Sequence, residues 1–214
     1  MLNVLIVSYT PRFDSNTLRL VETSMSALST KTSIICVDLV ETPPPFLESV
    51  NLNALLKRNF MGLPLTDVEQ AAVRGADHFL DQVLKADRVI VAFPMYNFSV
   101  PAAVKAWIDT IIQKDRTFGI DASGQYHPLC RNKRALILMT SGNDFGEPTM
   151  QPMNHASTLM EHCLNFIGIG SHTITAYGLN QYADRAEQIV VQAQEHISQY
   201  LSADGDWLEQ ARND

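Results

Sequence analysis

The run Val89-Ile90-Val91-Ala92-Phe93 is unbroken in its apolar character and stops at Pro94-Met95-Tyr96-Asn97-Phe98, after which Pro101 opens a new amphipathic stretch. A short β-branched run bounded by proline reads as a strand buried on both faces, the kind found in a parallel sheet covered by helices. In such open α/β sheets the ligand crevice lies beyond the strand carboxyl ends, where strand order reverses. The junction after Phe93 is therefore a candidate site. Met95, Tyr96, Asn97 and Phe98 offer a thioether, a phenol, an amide and a benzyl group. Such a set can lie against a planar heterocycle and hydrogen-bond its edge, but it contains no nucleophile and no strong base. The competing reading is a loop whose Tyr96 and Phe98 only close the top of the core, since aromatic residues in loops often serve packing.

Working outward, residues 2–7 read as a first strand, and Leu18, Val21, Met25 and Leu28 follow with helical period. The loop between them, residues 8–17, has no glycine and carries Ser8, Thr10, Ser15, Asn16 and Thr17. It is neither a dinucleotide fingerprint nor a Walker loop, both of which need glycines at fixed spacing. A hydroxyl-rich loop feeding a helix amino terminus can hold a phosphate monoester, with Arg12 adding charge. Alternatively, Asp14 or Ser15 simply caps the helix.

Residues 32–38 form a second strand, and residues 41–64 form an apolar insertion that opens with Pro43-Pro44-Pro45 and reads as irregular. It is too long for a simple connection and too apolar for a solvated linker, so it packs on its own domain or on a second subunit. Thr66 with Glu69 is a capping box for a helix running to about Ala86. A helix from about Val100 to Gln113 follows the organising strand, then a hairpin over 117–129, a fourth sheet strand at Arg134–Thr140 and a turn-rich loop from Ser141-Gly142. A helix at 150–166, a fifth strand at 172–177, a helix at 184–201 and a polar tail at 202–214 complete the chain; Trp207 in that tail either frays or docks.

With 214 residues and 46% hydrophobic composition, the chain reads as one domain, residues 1–201, with a short tail. The net charge is −7 and the 16 basic residues are scattered, which argues against a nucleic-acid partner. No apolar run approaches a membrane span and no signal-like amino terminus is present, so a cytoplasmic location is expected. Cys36, Cys130 and Cys163 share no metal or redox spacing, and no metal site is expected from His155 and His162.

The string Val91-Ala92-Phe93-Pro94-Met95-Tyr96-Asn97-Phe98, with Val104-Lys105 and Ile108-Asp109, closely resembles the hallmark stretch of the FMN-dependent NADH:azoreductases, within the flavodoxin-like NAD(P)H:quinone reductases. The likeness extends to Ser15-Asn16, Pro64-Leu65-Thr66, Thr117-Phe118, Thr140-Ser141 and Phe166-Ile167-Gly168-Ile169. It implies a flavodoxin-like three-layer α/β sandwich with a five-stranded parallel sheet in the order 2-1-3-4-5. It also implies a homodimer with one FMN per subunit, reduced by NADH or NADPH and reoxidised by a quinone or azo compound in a ping-pong cycle. By carry-over, Ser8, Ser15, Asn16 and Thr17 hold the FMN phosphate, with Arg12 added from its charge. Met95, Tyr96, Asn97 and Phe98 line the ring, Thr140, Ser141 and Gly142 hold its far edge, and Phe118 and Phe166 belong to the acceptor pocket. The chain departs from the family in Gly142-Asn143-Asp144, where members commonly carry a glycine pair. Because the cofactor carries the redox chemistry, a site without an acid or base is consistent with this reading. The rivals are a flavodoxin-type single-electron carrier and a non-catalytic FMN-binding module; neither accounts for the apolar insertion.

Overall fold

A computed structural model describes residues 1–28, 32–202 and 207. In chain order the elements are β1 (Leu2–Ser8), α1 (Asn16–Ala27), β2 (Thr32–Asp38), α2 (Ser49–Asn59), α3 (Asp67–Lys85), β3 (Arg88–Pro94), α4 (Ala102–Ile111), β4 (Phe118–Ile120), β5 (Tyr126–Pro128), β6 (Arg134–Thr140), α5 (His155–Phe166), β7 (Gly170–Ala176) and α6 (Ala186–Leu201). The main sheet is parallel throughout in the order β2-β1-β3-β6-β7, and β4 pairs only with β5 in a separate hairpin. With the hairpin set aside, this is the expected 2-1-3-4-5 order. No described helix is long and apolar enough to cross a membrane.

The period-two alternation of β3 divides its side chains between two cores. Val89, Val91 and Phe93 join Trp107 and Ile108 of α4, Leu80 of α3 and Met160 of α5 on one face. Ile90 and Ala92 join Leu20 of α1 and Val190 and Ile197 of α6 on the other. A continuous apolar run is what such a strand needs, because both faces are covered. Each aliphatic side chain so buried contributes about 1.5–3 kcal/mol.

The insertion is not irregular as expected: residues 49–59 are the helix α2. Its start is set by Asn51 Oδ1, which accepts the Glu48 N–H at 2.7 Å, and its last turn carries Lys57 and Arg58 against the negative helix end. Tertiary contacts then hold it in place. Lys57 pairs with Glu69 at 2.7 Å, and Arg58 makes a bidentate pair with Asp77 at 2.7 and 2.8 Å while donating to the buried Gln113 at 3.0 Å. Two other boundaries also move. The helix expected from residue 150 begins at His155, because Asn154 accepts the Ala156 and Ser157 N–H groups and ends a 3-10 turn at Gln151–Met153. The final strand sits two residues earlier at its start, at Gly170, and α6 begins at Ala186.

The capping box at Thr66 and Glu69 is present as expected. The Lys57 ammonium, aided by the Thr66 N–H, holds the Glu69 carboxyl down to about 2 against an ordinary 4.5. Since the folded value lies below the unfolded one, the stabilisation is full above about 4.5 and is lost as pH falls toward 2. A Glu69→Gln variant is expected to show a shallower fall of stability across that window in urea unfolding. An identical pH slope in variant and wild type would mean that the pair contributes nothing.

Candidate functional site

Parallel register brings three strand ends together: Ser8 of β1 lies level with Ala92 of β3, and Pro94 of β3 with Thr140 of β6. Above them opens a cavity of about 260 Å³. Its walls come from four loops. Arg12, Ser15, Asn16 and Thr17 form one side, Pro94, Met95 and Tyr96 a second, Thr140, Ser141 and Gly142 a third, and Leu179 and Asn180 the last.

The α1 amino terminus is capped by Ser15, whose Oγ accepts the Leu18 N–H at 3.2 Å. Capping and anion binding are compatible here, because the Asn16 and Thr17 N–H groups of the first turn have no intrahelical partner. The floor is a hydrogen bond of 2.7 Å between the buried Thr17 and Thr140 hydroxyls, which ties α1 to the end of β6. Met95 N–H donates to the Thr140 carbonyl at 2.8 Å and links the β3 loop to the same point. The Ser141-Gly142 loop is clamped from the far side: the Leu179 N–H bonds the Ser141 carbonyl at 3.0 Å, and the Asn180 and Gln181 N–H groups share the Gly142 carbonyl at 2.9 Å.

Beyond Met95 the chain folds into a tight turn closed by reciprocal 3.0 Å bonds between Tyr96 and Ser99. Asn97 and Phe98 at its centre have φ of 47° and 69°. Two left-handed residues define a type I′ turn, which ordinarily takes Asn-Gly. A phenylalanine in that conformation stores about 1–3 kcal/mol of strain, a cost that concentrates at functional sites. The turn carries Asn97 and Phe98 out of the cavity wall into exposed positions, with the Phe98 ring edge-on to Phe145 at 6.1 Å. Tyr96 stays in the wall, edge-on to Tyr9 at 6.3 Å, and partial burial raises its phenol pKa, with the Tyr9 phenol adding to the effect.

Of the residues singled out from sequence, Arg12, Ser15, Asn16, Thr17, Met95, Tyr96, Thr140, Ser141 and Gly142 share this cavity. Ser8 ends β1 outside its wall, and Arg12 pairs with Asp14 at 3.1 Å in an exposed contact worth little energetically. Phe118 and Phe166 lie elsewhere, in a separate cavity of about 280 Å³ together with Leu52, Leu56 and Phe60 of the insertion. Their rings stand 5.0 Å apart, with Tyr126 completing an aromatic trio. Sequence reasoning overlooked Leu179 and Asn180; the one available signal was their position just after the last parallel strand. Among the described residues that line the first cavity there is no carboxylate, imidazole or thiol.

A doubly wound parallel sheet with a helix amino terminus and a cavity at its carboxyl edge defines a flavodoxin-like domain, and residues 2–201 match the family model described as flavodoxin-like fold. The chain is 34% identical over 176 residues to FMN-dependent NADH:quinone oxidoreductase 2 of Bacillus anthracis, covering 82% of this chain and 84% of that one. It is 31% identical to the FMN-dependent NADH:quinone oxidoreductase of Beijerinckia indica, over 84% and 90% of the two chains. Its structure superposes on the azoreductase from Bacillus anthracis str. Sterne with a TM-score of 0.87 at 26% identity, covering 94% and 99%. The chain belongs to the family of FMN-dependent NADH:quinone oxidoreductases.

Proposed function

We propose that the protein is an FMN-dependent oxidoreductase that passes two electrons from NADH or NADPH to a quinone or an azo compound. The observation that carries this reading is the cavity itself, which joins the α1 amino terminus to a wall containing Met95 and Tyr96 and has no carboxylate, imidazole or thiol among its described lining residues. FMN held in this cavity would supply the two-electron redox chemistry of a ping-pong hydride exchange. The residues of this chain bind and orient it. The Asn16 and Thr17 N–H groups and the Ser15 hydroxyl receive the phosphate, and the single-phosphate design fits FMN because no glycine-rich pyrophosphate cradle is present. Met95 and Tyr96 face the ring. The Gly142 N–H supplies a donor for charge that develops on the ring edge, without a proton having to move, the Ser141 N–H being bonded to the Ala176 carbonyl.

The working unit is a homodimer, in which Phe118 and Phe166 of one subunit close the acceptor pocket of the other. The support is an apolar face that the monomer leaves open, with Phe60 53% and Phe166 40% exposed beside Leu52 and Leu56. Contiguous exposed apolar surface of this kind marks interaction sites.

Mixing the purified protein with NADH under anaerobic conditions is expected to bleach the flavin band in one rapid two-electron step; a protein needing a separate reductase for that bleaching is a carrier instead. Asn97 tests the ring contact. Its exposed side chain has no hydrogen bond to any described residue, so it is free to meet the flavin edge. Asn97→Gly, which keeps the left-handed turn while removing the amide, is expected to weaken FMN binding by about 1–3 kcal/mol. Unchanged FMN affinity and turnover would reduce Asn97 to a turn former.

A further inference from the structure

We infer that Asn180, in the β7–α6 loop, is a ligand of the FMN phosphate, completing a cradle that the β1–α1 loop supplies only in part; the inference rests on the FMN reading above. Asn180 lines the same cavity as Ser15, Asn16 and Thr17. The two walls are held at a fixed separation. Arg19, one turn into α1, makes a bidentate pair with Glu187 in the first turn of α6 at 2.6 and 2.8 Å, and also donates to Asn16 Oδ1 at 3.3 Å. The backbone of Asn180 is equally fixed, its N–H bonded to the Gly142 carbonyl at 2.9 Å.

The side-chain amide, in contrast, makes no hydrogen bond to any described residue. It lies against Gly142, where an added β-carbon would come within 2.6 Å of Nδ2. Glycine at 142 therefore makes room for an amide that satisfies nothing within the described protein. The chemistry of the cavity says what it satisfies instead. Arg12 is the one cation among the described wall residues, and it stands exposed in a weak pair with Asp14. The Thr17 hydroxyl is engaged with Thr140. A phosphate dianion bound here, with a single exposed arginine beside it, gains from neutral donors as well, and an N–H aimed at an anion forms a bond roughly twice as strong as one aimed at a neutral acceptor. A carboxamide carried on a fixed backbone in the same cavity as the α1 terminus meets that need.

The test titrates the flavin-free, full-length protein with FMN and with riboflavin, following the quenching of flavin fluorescence. Asn180→Ala is expected to raise the FMN Kd about tenfold, and the isosteric Asn180→Asp, which sets a carboxylate against the dianion, about a hundredfold. Riboflavin affinity is expected to stay at the wild-type value in both, which also reports that the pocket has kept its shape. Parallel losses for FMN and riboflavin, or an FMN affinity unchanged in both variants, would overturn the assignment of Asn180 while leaving the cofactor reading in place. A wild-type protein that fails to bind FMN at all would overturn the cofactor reading instead.

Discussion

Replacing Trp207 by alanine is expected to lower the unfolding free energy by about 3–5 kcal/mol, the range for truncating a fully buried tryptophan. Trp207 is 0% exposed and sits in the core cluster beneath α1 and α6, with Tyr200 edge-on at 5.8 Å. Its carbonyl accepts a 2.8 Å bond from Nε of Arg88, the buried first residue of β3, and its ring lies 6.0 Å from that guanidinium. Burial pushes the Arg88 pKa down, and Arg134 adds repulsion, so this charge depends on the partners that surround it. The tail contact thus closes a core and shields an arginine at once. Urea unfolding of Trp207→Ala and Trp207→Phe measures the side-chain part, since both variants keep the carbonyl that Arg88 bonds, and phenylalanine is expected to restore most of the loss. A cost below about 1 kcal/mol for the alanine variant, the level of a surface substitution, would mean that the residue is not docked.

The second large effect is expected at Phe166. Its ring packs on Phe118 at 5.0 Å and Tyr126 at 5.9 Å, yet it remains 40% exposed on the apolar face. An aromatic anchor at the centre of an interface typically contributes about 2–4 kcal/mol to association. Phe166→Ala is therefore expected to raise the dimer dissociation constant by about two orders of magnitude. It should disturb monomer stability much less, because the face it leaves is already wet. Sedimentation across a concentration series, paired with acceptor turnover, checks this: turnover should fall as dimer is lost. A wild-type monomer that is fully active would remove the shared pocket.

The central strands β1, β3 and β6 were readable because each is apolar on both faces, and in β3 five such residues run into a proline; the edge strands β2 and β7 are partly exposed, and the start of β7 was misplaced by two residues. The Thr66–Glu69 helix start was readable because its cap is local. What escaped depends on partners distant in the chain. Helix α2 follows a proline run and contains Asn51, Asn53 and Asn59, poor helix formers, and is held by Arg58 with Asp77 and Gln113, 19 and 55 residues away. The Asn97-Phe98 turn lacks the glycine that usually announces a type I′ turn. Docking of Trp207 depends on Arg88, 119 residues earlier, and the Thr17–Thr140 bond spans 123. The placement of Phe118 and Phe166 away from the first cavity, and of Asn180 within it, follows from how loops fold back and has no local pattern to betray it.

The convergence of β1, β3, β6 and β7 at one edge also bears on how such a protein can change over generations. Each cavity-lining loop starts where a strand has just ended, and those strands draw their stability from cores made by other residues. Substitutions in the loops therefore leave the frame untouched, and a frame so insulated can be inherited unchanged while its loops drift. The Thr17–Thr140 bond is the exception, since a change in either partner alters the floor that all the loops share. Variation among relatives should accordingly be free in acceptor choice and sparse at that one pair of hydroxyls.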